Sequence, residues 1–257
     1  MAGGQIAVIG AGMAGLSAAY RLERAGFAPT VFERHDRVGG RIQTIEKAGY
    51  LMDLGAAVYL GTYRESIAMI RDIGLGNELR ELPAIGAMPR NGKLHLFDYA
   101  APIRTALTTK ALSFGAKLRA AIADHIKAVG RVPVGKSMYT VLGSHEYLHR
   151  SWQRSDDEVL ADAIACTSRY HGDISNTVEQ HQIVRWEEVV PVLDTGRFKL
   201  IAAFKHGLTA NARVQFASDL DRIPGVNGAI VSGLEAAQRI AAGSHARGQG
   251  TSSVRAA

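Results

Sequence analysis

From Gln5 to Gly10 the chain runs QIAVIG, a short unbroken apolar stretch of the kind found in a strand buried on both faces. The period then changes. Between Met13 and Ala25, Ala14, Ala18, Ala19 and Leu22 share one side of a helix and Arg21, Glu23 and Arg24 another, and Gly26 is placed to end it as a left-handed cap. Pro29–Glu33 (PTVFE) returns to a strand, so the opening residues predict a β-α-β unit, the start of a doubly wound parallel sheet in an α/β fold. Thr62–Leu75 predicts an amphipathic helix, opened by a Thr62/Glu65 capping box and carrying Ile67, Ile70 and Ile73 on one side.

Further along, Lys93–Phe97 alternates as a strand does, and Leu118, Ile122, Ile126 and Val129 keep helical spacing in a long helix from Thr105 to Gly130. Gly130–Arg150 has no sustained period and contains Gly130, Pro133, Gly135 and Gly143, the composition of a linker or a crossing between lobes. Ser155 with Glu158 forms a second capping box, opening a helix whose Val159, Ala163, Cys166 and Tyr170 make one face and bury Cys166 as a core thiol. Gln180–Trp186 alternates as a strand does, and Arg213–Ala217 (RVQFA) reads as a second short apolar strand. A turn over Arg222–Val226 leads into a helix over Asn227–Ala242 that carries Ile230, Leu234, Ala237 and Ala241 on one face. Past Gly243 the apolar content falls and a disordered tail is expected.

Composition narrows the class. The 257 residues are 47% apolar and 21% charged, as in soluble globular proteins. No apolar run approaches the roughly 20 residues that cross a bilayer, and Met1–Gly4 leads straight into a strand without a basic-then-apolar leader, so a cytoplasmic protein without a transmembrane segment is expected. Cys166 is the only cysteine, which excludes an internal disulfide and a thiolate metal site. The net charge of +6 is spread without a polybasic run of five, which suits anionic small ligands better than nucleic acid.

The chemistry is concentrated at the first turn. Gly10, Gly12 and Gly15 spell G-x-G-x-x-G directly between strand and helix. Gly10 permits the tight turn, Gly12 lets the backbone approach a pyrophosphate, and Gly15 allows the helix to pack on the sheet, while the helix N-terminus offers amide donors to the phosphates. Glu33 stands 18 residues after Gly15 at the end of the second strand, where a carboxylate accepts from ribose hydroxyls and repels a 2′-phosphate. Downstream, RHDRVGGRIQT places Gly39 and Gly40 before Arg41, whose fork suits a pyrophosphate, and MDLGAAV carries Asp53, Gly55 and Ala56.

Together these segments closely resemble the flavin-containing amine oxidase, protoporphyrinogen oxidase and phytoene desaturase superfamily. The pattern E-R-x(4)-G-G-R-x-x-T and the D-x-G-A segment carry the resemblance. It implies FAD contacts at Gly10, Gly12, Ala14, Gly15, Glu33, Arg34, Gly40, Arg41, Gly55 and Ala56, and an FAD-dependent oxidoreductase that moves a hydride from a C–H or C–N substrate to flavin N5. Trp186–Pro191 (WEEVVP) and Phe216–Ala237 are similar to the family's C-terminal segments, which implies Asp219 near the ribityl phosphate and a helix from Val226 aimed at the flavin carbonyl edge. The cofactor is expected to be noncovalent, because Cys166 lies outside these segments.

Three departures qualify the resemblance. Ser218 stands where the family has glycine, and Ile223–Val226 lacks the tyrosine of an amine-binding aromatic cage, which leaves an apolar polycycle or polyene as plausible a substrate as an amine. The family's long middle region is missing, so no catalytic residue is assigned. The chain then divides into an N-terminal part of the FAD domain (1–61), a reduced helical lobe and junction (62–150), a C-terminal return to the FAD domain (151–242) and a tail (243–257). Loss of the middle is expected to leave the second strand as an open edge, covered by self-association or a partner chain. The alternatives are a noncatalytic FAD-binding or partner-binding module and, more remotely, a zinc hydrolase. His145, Glu146, Tyr147, Leu148 and His149 match H-E-x-x-H, but Trp152 stands where the metzincin extension needs glycine, and only Glu158 or Asp162 offers a third ligand.

Overall fold

The computed structural model of the chain describes residues 4–56, 58–81, 85–90, 93–98, 101, 126–128, 132–191, 194–207 and 213–250. β1 (Gln5–Ile9) and β2 (Ala28–Phe32) pair in parallel with Val8 opposite Val31, and α1 (Met13–Arg24) connects them. α1 ends as its sequence requires. Gly26 adopts φ +85, its N–H donates to Glu23 O (2.9 Å) and the Phe27 N–H to Leu22 O (3.1 Å), the Schellman pattern with Leu22 and Phe27 both buried beneath it.

The last helix, α6 (Val226–Gly250), lies against α1 and closes the core. Val8, Ala18, Leu22, Phe27 and Ala237 form its centre, flanked by Ile6, Val31, Ile240 and Ala241. Among the described residues only one face of the sheet is covered. Ile9 is 80% exposed and Phe32 54%, so the continuous apolar run of β1 does not mark a strand buried on both faces as expected: Ile6 and Val8 point to the helices and the alternate residues to solvent. Among the described residues the parallel sheet has these two strands, both of them edges.

Beyond this unit, β3 (Thr44–Lys47) and β4 (Tyr50–Asp53) form an antiparallel hairpin. β5 (Val58–Leu60) and β6 (Arg80–Glu81) flank β9 (Ile126–Ala128), and β7 (Ile85–Arg90) pairs with β8 (Lys93–Asp98), the strand expected over 93–97. The long helix expected from Thr105 to Gly130 lies almost wholly outside the described residues, and where it is described, at Ile126–Ala128, the chain is a strand: cross-strand pairing overrides the helical spacing.

α2 (Arg64–Asp72) begins two residues later than expected and without the Thr62/Glu65 capping box. Thr62 O instead accepts from Arg64 N (2.9 Å), and Glu65 takes the Asn227 side-chain amide (3.4 Å). Asn227 Oδ1 in turn accepts from the buried Ser66 hydroxyl (2.7 Å), which docks α2 on the start of α6. α3 (His145–Ser151) and α4 (Asp156–His171) follow, and α4 has the predicted Ser155/Glu158 capping box. α4 buries none of its residues, however, and Cys166 is exposed rather than a core thiol, because nothing described covers that face.

Gln180–Trp186 and Arg213–Ala217 do not form strands. Side chains hold the second of them to α6, with Arg239 Nε donating to Gln215 Oε1 (2.7 Å) and the Ser218 N–H to Ser232 Oγ (2.9 Å). α5 (Arg197–Gly207) precedes it. α6 continues past Ala242 to Gly250, so residues 243–250 are helical where a disordered tail was expected. No described helix is long and apolar enough to cross a membrane.

Candidate functional site

At the end of β1 the chain turns sharply because Gly10 adopts φ +95, and its N–H donates to Phe32 O (2.7 Å) of β2. Gly15 lies directly above this turn, where a Cβ would stand 2.0 Å from Gly10 O. Only glycine allows that approach. Gly12 is different: it caps α1 with an ordinary φ of −74, and a Cβ there would meet nothing within 4 Å. The protein's own packing does not require glycine at Gly12, whereas a group lying close against the backbone would. The first-turn amides of α1 open into that space without intrahelical acceptors.

A second glycine turn is joined to the first. Gly39 N donates to Ala11 O (2.8 Å), Gly12 and Gly39 form an isolated parallel bridge, and a Cβ on Gly40 would lie 3.3 Å from Gly12 Cα. Gly39 and Gly40 both have positive φ, so the E-R-x(4)-G-G-R spacing corresponds to a left-handed turn pressed against the glycine loop. Glu33 also reaches this loop. Its Oε2 accepts from Ala11 N (2.6 Å) and its Oε1 from the amides of Arg34 (2.9 Å) and His35 (3.0 Å). Those donors, Ala11 first, hold its carboxyl below the usual carboxylate range. Arg34 itself points away, with Nε donating to His35 Nε2 (3.0 Å).

Arg41 connects the two ends of the sequence. Its Nη2 pairs with Asp219 Oδ1 at 2.7 Å and its Nη1 donates to Val189 O; the Asp219 side chain is 5% exposed. Gly55 packs beneath the same residue, where a Cβ would stand 1.9 Å from Arg41 O, and Ala56 N donates to that carbonyl (3.4 Å). Ser218 fits its position without strain. Its φ is −161, and its hydroxyl accepts from Leu220 N (3.1 Å), opening the single 3-10 turn that presents Asp219.

Val226, buried, starts α6, and a few residues later Gly233 crosses α1 so closely that a Cβ would lie 2.2 Å from Ala14 O. The structure thus draws Gly10, Gly12, Ala14, Gly15, Glu33, Gly40, Arg41, Gly55, Ala56 and Asp219 into one connected set, with Val226 at the head of the helix behind it and Arg34 outside. Gly233, the Val189 carbonyl and Trp186, whose Nε1 donates to Leu54 O (2.6 Å), fell inside segments picked out by resemblance but were given no role of their own. The small residues Gly228, Ala229, Ser232 and Gly233, spaced four apart in pairs, were a signal for the close helix crossing.

The H-E-x-x-H match does lie on a helix, α3, capped by Ser144, whose hydroxyl accepts from Tyr147 N (3.2 Å). Its candidate third ligands are otherwise engaged. Glu158 caps α4, and Asp162 accepts from Tyr147 Oη (2.9 Å) and pairs with Arg154 (2.6 Å). Among the described residues no three His, Cys, Asp or Glu side chains are grouped to hold a metal.

Residues 13–129 match the model of the flavin containing amine oxidoreductase family. That segment, a little under half of the chain, is similar to the flavin-containing amine oxidases. Coproporphyrinogen III oxidase of Staphylococcus aureus is 41% identical over 76 residues, 29% of this chain and 16% of that protein. Protoporphyrinogen oxidase 2 of Arabidopsis thaliana is 37% identical over 83 residues, 32% and 16% respectively. A putrescine oxidase structure with putrescine bound is similar at 30% identity over 36% of this chain and 21% of that one, with a TM-score of 0.32. The matched part spans less than a fifth of the length of these two curated relatives.

Proposed function

We propose that this chain binds FAD at the joined glycine turns and acts as an FAD-dependent oxidoreductase of the amine oxidase and porphyrinogen oxidase type. The observation that supports it most directly is Gly12, a glycine whose φ is ordinary and whose Cβ position is open, at the mouth of α1. Gly10, Gly12 and Gly15 would admit the pyrophosphate to the α1 amides, and Gly40 and Arg41 would flank it. Glu33 would accept from the adenosine ribose and repel a 2′-phosphate. Gly55, Ala56, Asp219 and the start of α6 at Val226 would line the ribityl and flavin side. What FAD supplies, when bound, is acceptance of a hydride at N5 from a C–H or C–N substrate. The β1–α1–β2 unit would be the opening of a doubly wound sheet.

The substrate class we propose is an apolar polycycle or an amine, in line with relatives named for porphyrinogens. The partial span of those relatives favours one second reading, an FAD-binding module without turnover. Purified chain titrated with FAD tests both. Saturable uptake, seen as a yellow protein that loses its flavin on acid denaturation, is expected, and turnover of a porphyrinogen or amine then separates enzyme from module. A chain that takes up no FAD ends the proposal.

We further propose that a second copy covers the open sheet face at Ile9 and Phe32. Light scattering over a range of concentrations should show a rising mass; a monomer throughout would refute it.

A further inference from the structure

Ala11 lies between the first two glycines of the loop and is 1% exposed, so both of its backbone polar groups need partners inside the protein. Its carbonyl takes the Gly39 N–H (2.8 Å). Its N–H is bonded to a side chain: Glu33 Oε2, at 2.6 Å from a residue 22 positions away. The preceding amide, Gly10 N, is held by Phe32 O at the same end of β2 (2.7 Å). Phe32, the last residue of β2, and Glu33 just after it therefore hold successive amides of the loop, one through the backbone and one through a carboxylate. Neither bond involves a nucleotide.

We infer that Glu33 is a positioning residue that fixes the glycine loop in its binding shape in the free protein, in addition to any contact it makes with a ribose. The ribose part rests on the FAD reading above; the loop part does not. An amide this well buried has no water to replace a lost acceptor, and a charged acceptor makes the stronger bond. Oε1 is committed to its own turn through Arg34 and His35, which fixes the carboxylate plane and directs Oε2 at the loop. The lowered pKa of Glu33, caused first by the Ala11 amide, agrees with that geometry. A Glu33 that served only the ribose would leave the Ala11 N–H without an acceptor whenever the site stood empty.

Amide hydrogen exchange of the full chain, followed by NMR without added FAD, tests this directly in wild type, Glu33→Ala and Glu33→Gln. The Ala11 amide is expected to exchange about 100-fold faster in Glu33→Ala, while the core amides of Val8 and Leu22 keep their rates, the mark of a local opening. Glu33→Gln keeps an acceptor oxygen within reach of Ala11 and should restore most of the protection. FAD affinity should follow the same order, falling about tenfold or more in Glu33→Ala and recovering in part in Glu33→Gln. Should Glu33→Ala fail to fold, Glu33→Asp, one methylene short of Ala11, gives the same comparison. Unchanged Ala11 exchange in the truncated variants, or Glu33→Gln exchanging as fast as Glu33→Ala, overturns the tether. If the exchange pattern holds while wild type binds no FAD, the tether stands and the cofactor proposal falls.

Discussion

Gly12→Ser is expected to leave the free protein as stable as wild type, or slightly more so, and to remove FAD binding. The two effects have opposite signs because they depend on different neighbours. Gly12 is the N-cap of α1 with φ −74 and ψ 175, the backbone in which serine is among the best caps, and a Cβ there meets nothing within 4 Å. Relative to glycine, a serine cap adds a few tenths of a kcal/mol, roughly, by accepting from an amide of the first turn. Those amides are the donors a pyrophosphate needs, and the new side chain occupies the space it would enter. Loss of at least about 100-fold in FAD affinity, close to 2.7 kcal/mol, is expected by titration, with the denaturation midpoint held or raised. An unchanged affinity would mean that phosphates do not lie at this loop.

Gly15→Ala provides the contrast. Its Cβ would stand 2.0 Å from Gly10 O, so the helix must move off the turn and stability and FAD affinity should fall together.

The parts of the fold visible in the sequence are those that local rules decide. The β1–α1–β2 unit follows from a change of period and from glycines whose conformations are needed within a few residues, as at Gly10 and Gly26. The Ser155/Glu158 box closes on itself for the same reason. The Thr62/Glu65 box has equal spacing but a nearby competitor: Asn227, far along the chain, takes Glu65 when α6 docks. Residues 126–128 keep a helical period and form a strand because β5 and β6 supply backbone partners that no single segment reveals. The short apolar run at Arg213–Ala217 forms no strand, because a ladder also needs an adjacent edge. Cys166 shows the same limit for burial: a period identifies an apolar face and does not show that something covers it.

The candidate site divides along the same line. Its glycines and Glu33 were legible because each meets a local geometric demand. Resemblance placed Arg41 and Asp219 separately near the cofactor, but not their pairing, since they stand 178 positions apart and no spacing rule joins them. The Ala11 amide was not visible at all, because a backbone donor leaves no trace in residue type.

Gly233→Ala carries the other large expected effect, and here the sign is the test. In the interior of a helix, glycine to alanine ordinarily stabilises by about 1 kcal/mol. At Gly233 the new Cβ would lie 2.2 Å from Ala14 O and 3.1 Å from Ala18 N, both backbone atoms of α1, which cannot swing aside as a side chain could. α1 and α6 must separate, opening the core around Val8, Leu22 and Ala237. Overpacking of this kind costs about 1 to 3 kcal/mol, enough to reverse the propensity gain. For a chain of this size the melting temperature should fall by about 2 to 4 °C per kcal/mol lost. Ala14 belongs to the first turn of α1, so the displacement also reaches the glycine loop, and FAD affinity should weaken although Gly233 itself has no proposed contact with the cofactor. Circular dichroism melts with a parallel FAD titration measure both. A higher melting temperature in Gly233→Ala would show that α6 does not cross α1 at this point, and that the C-terminal helix is not what holds the loop in place.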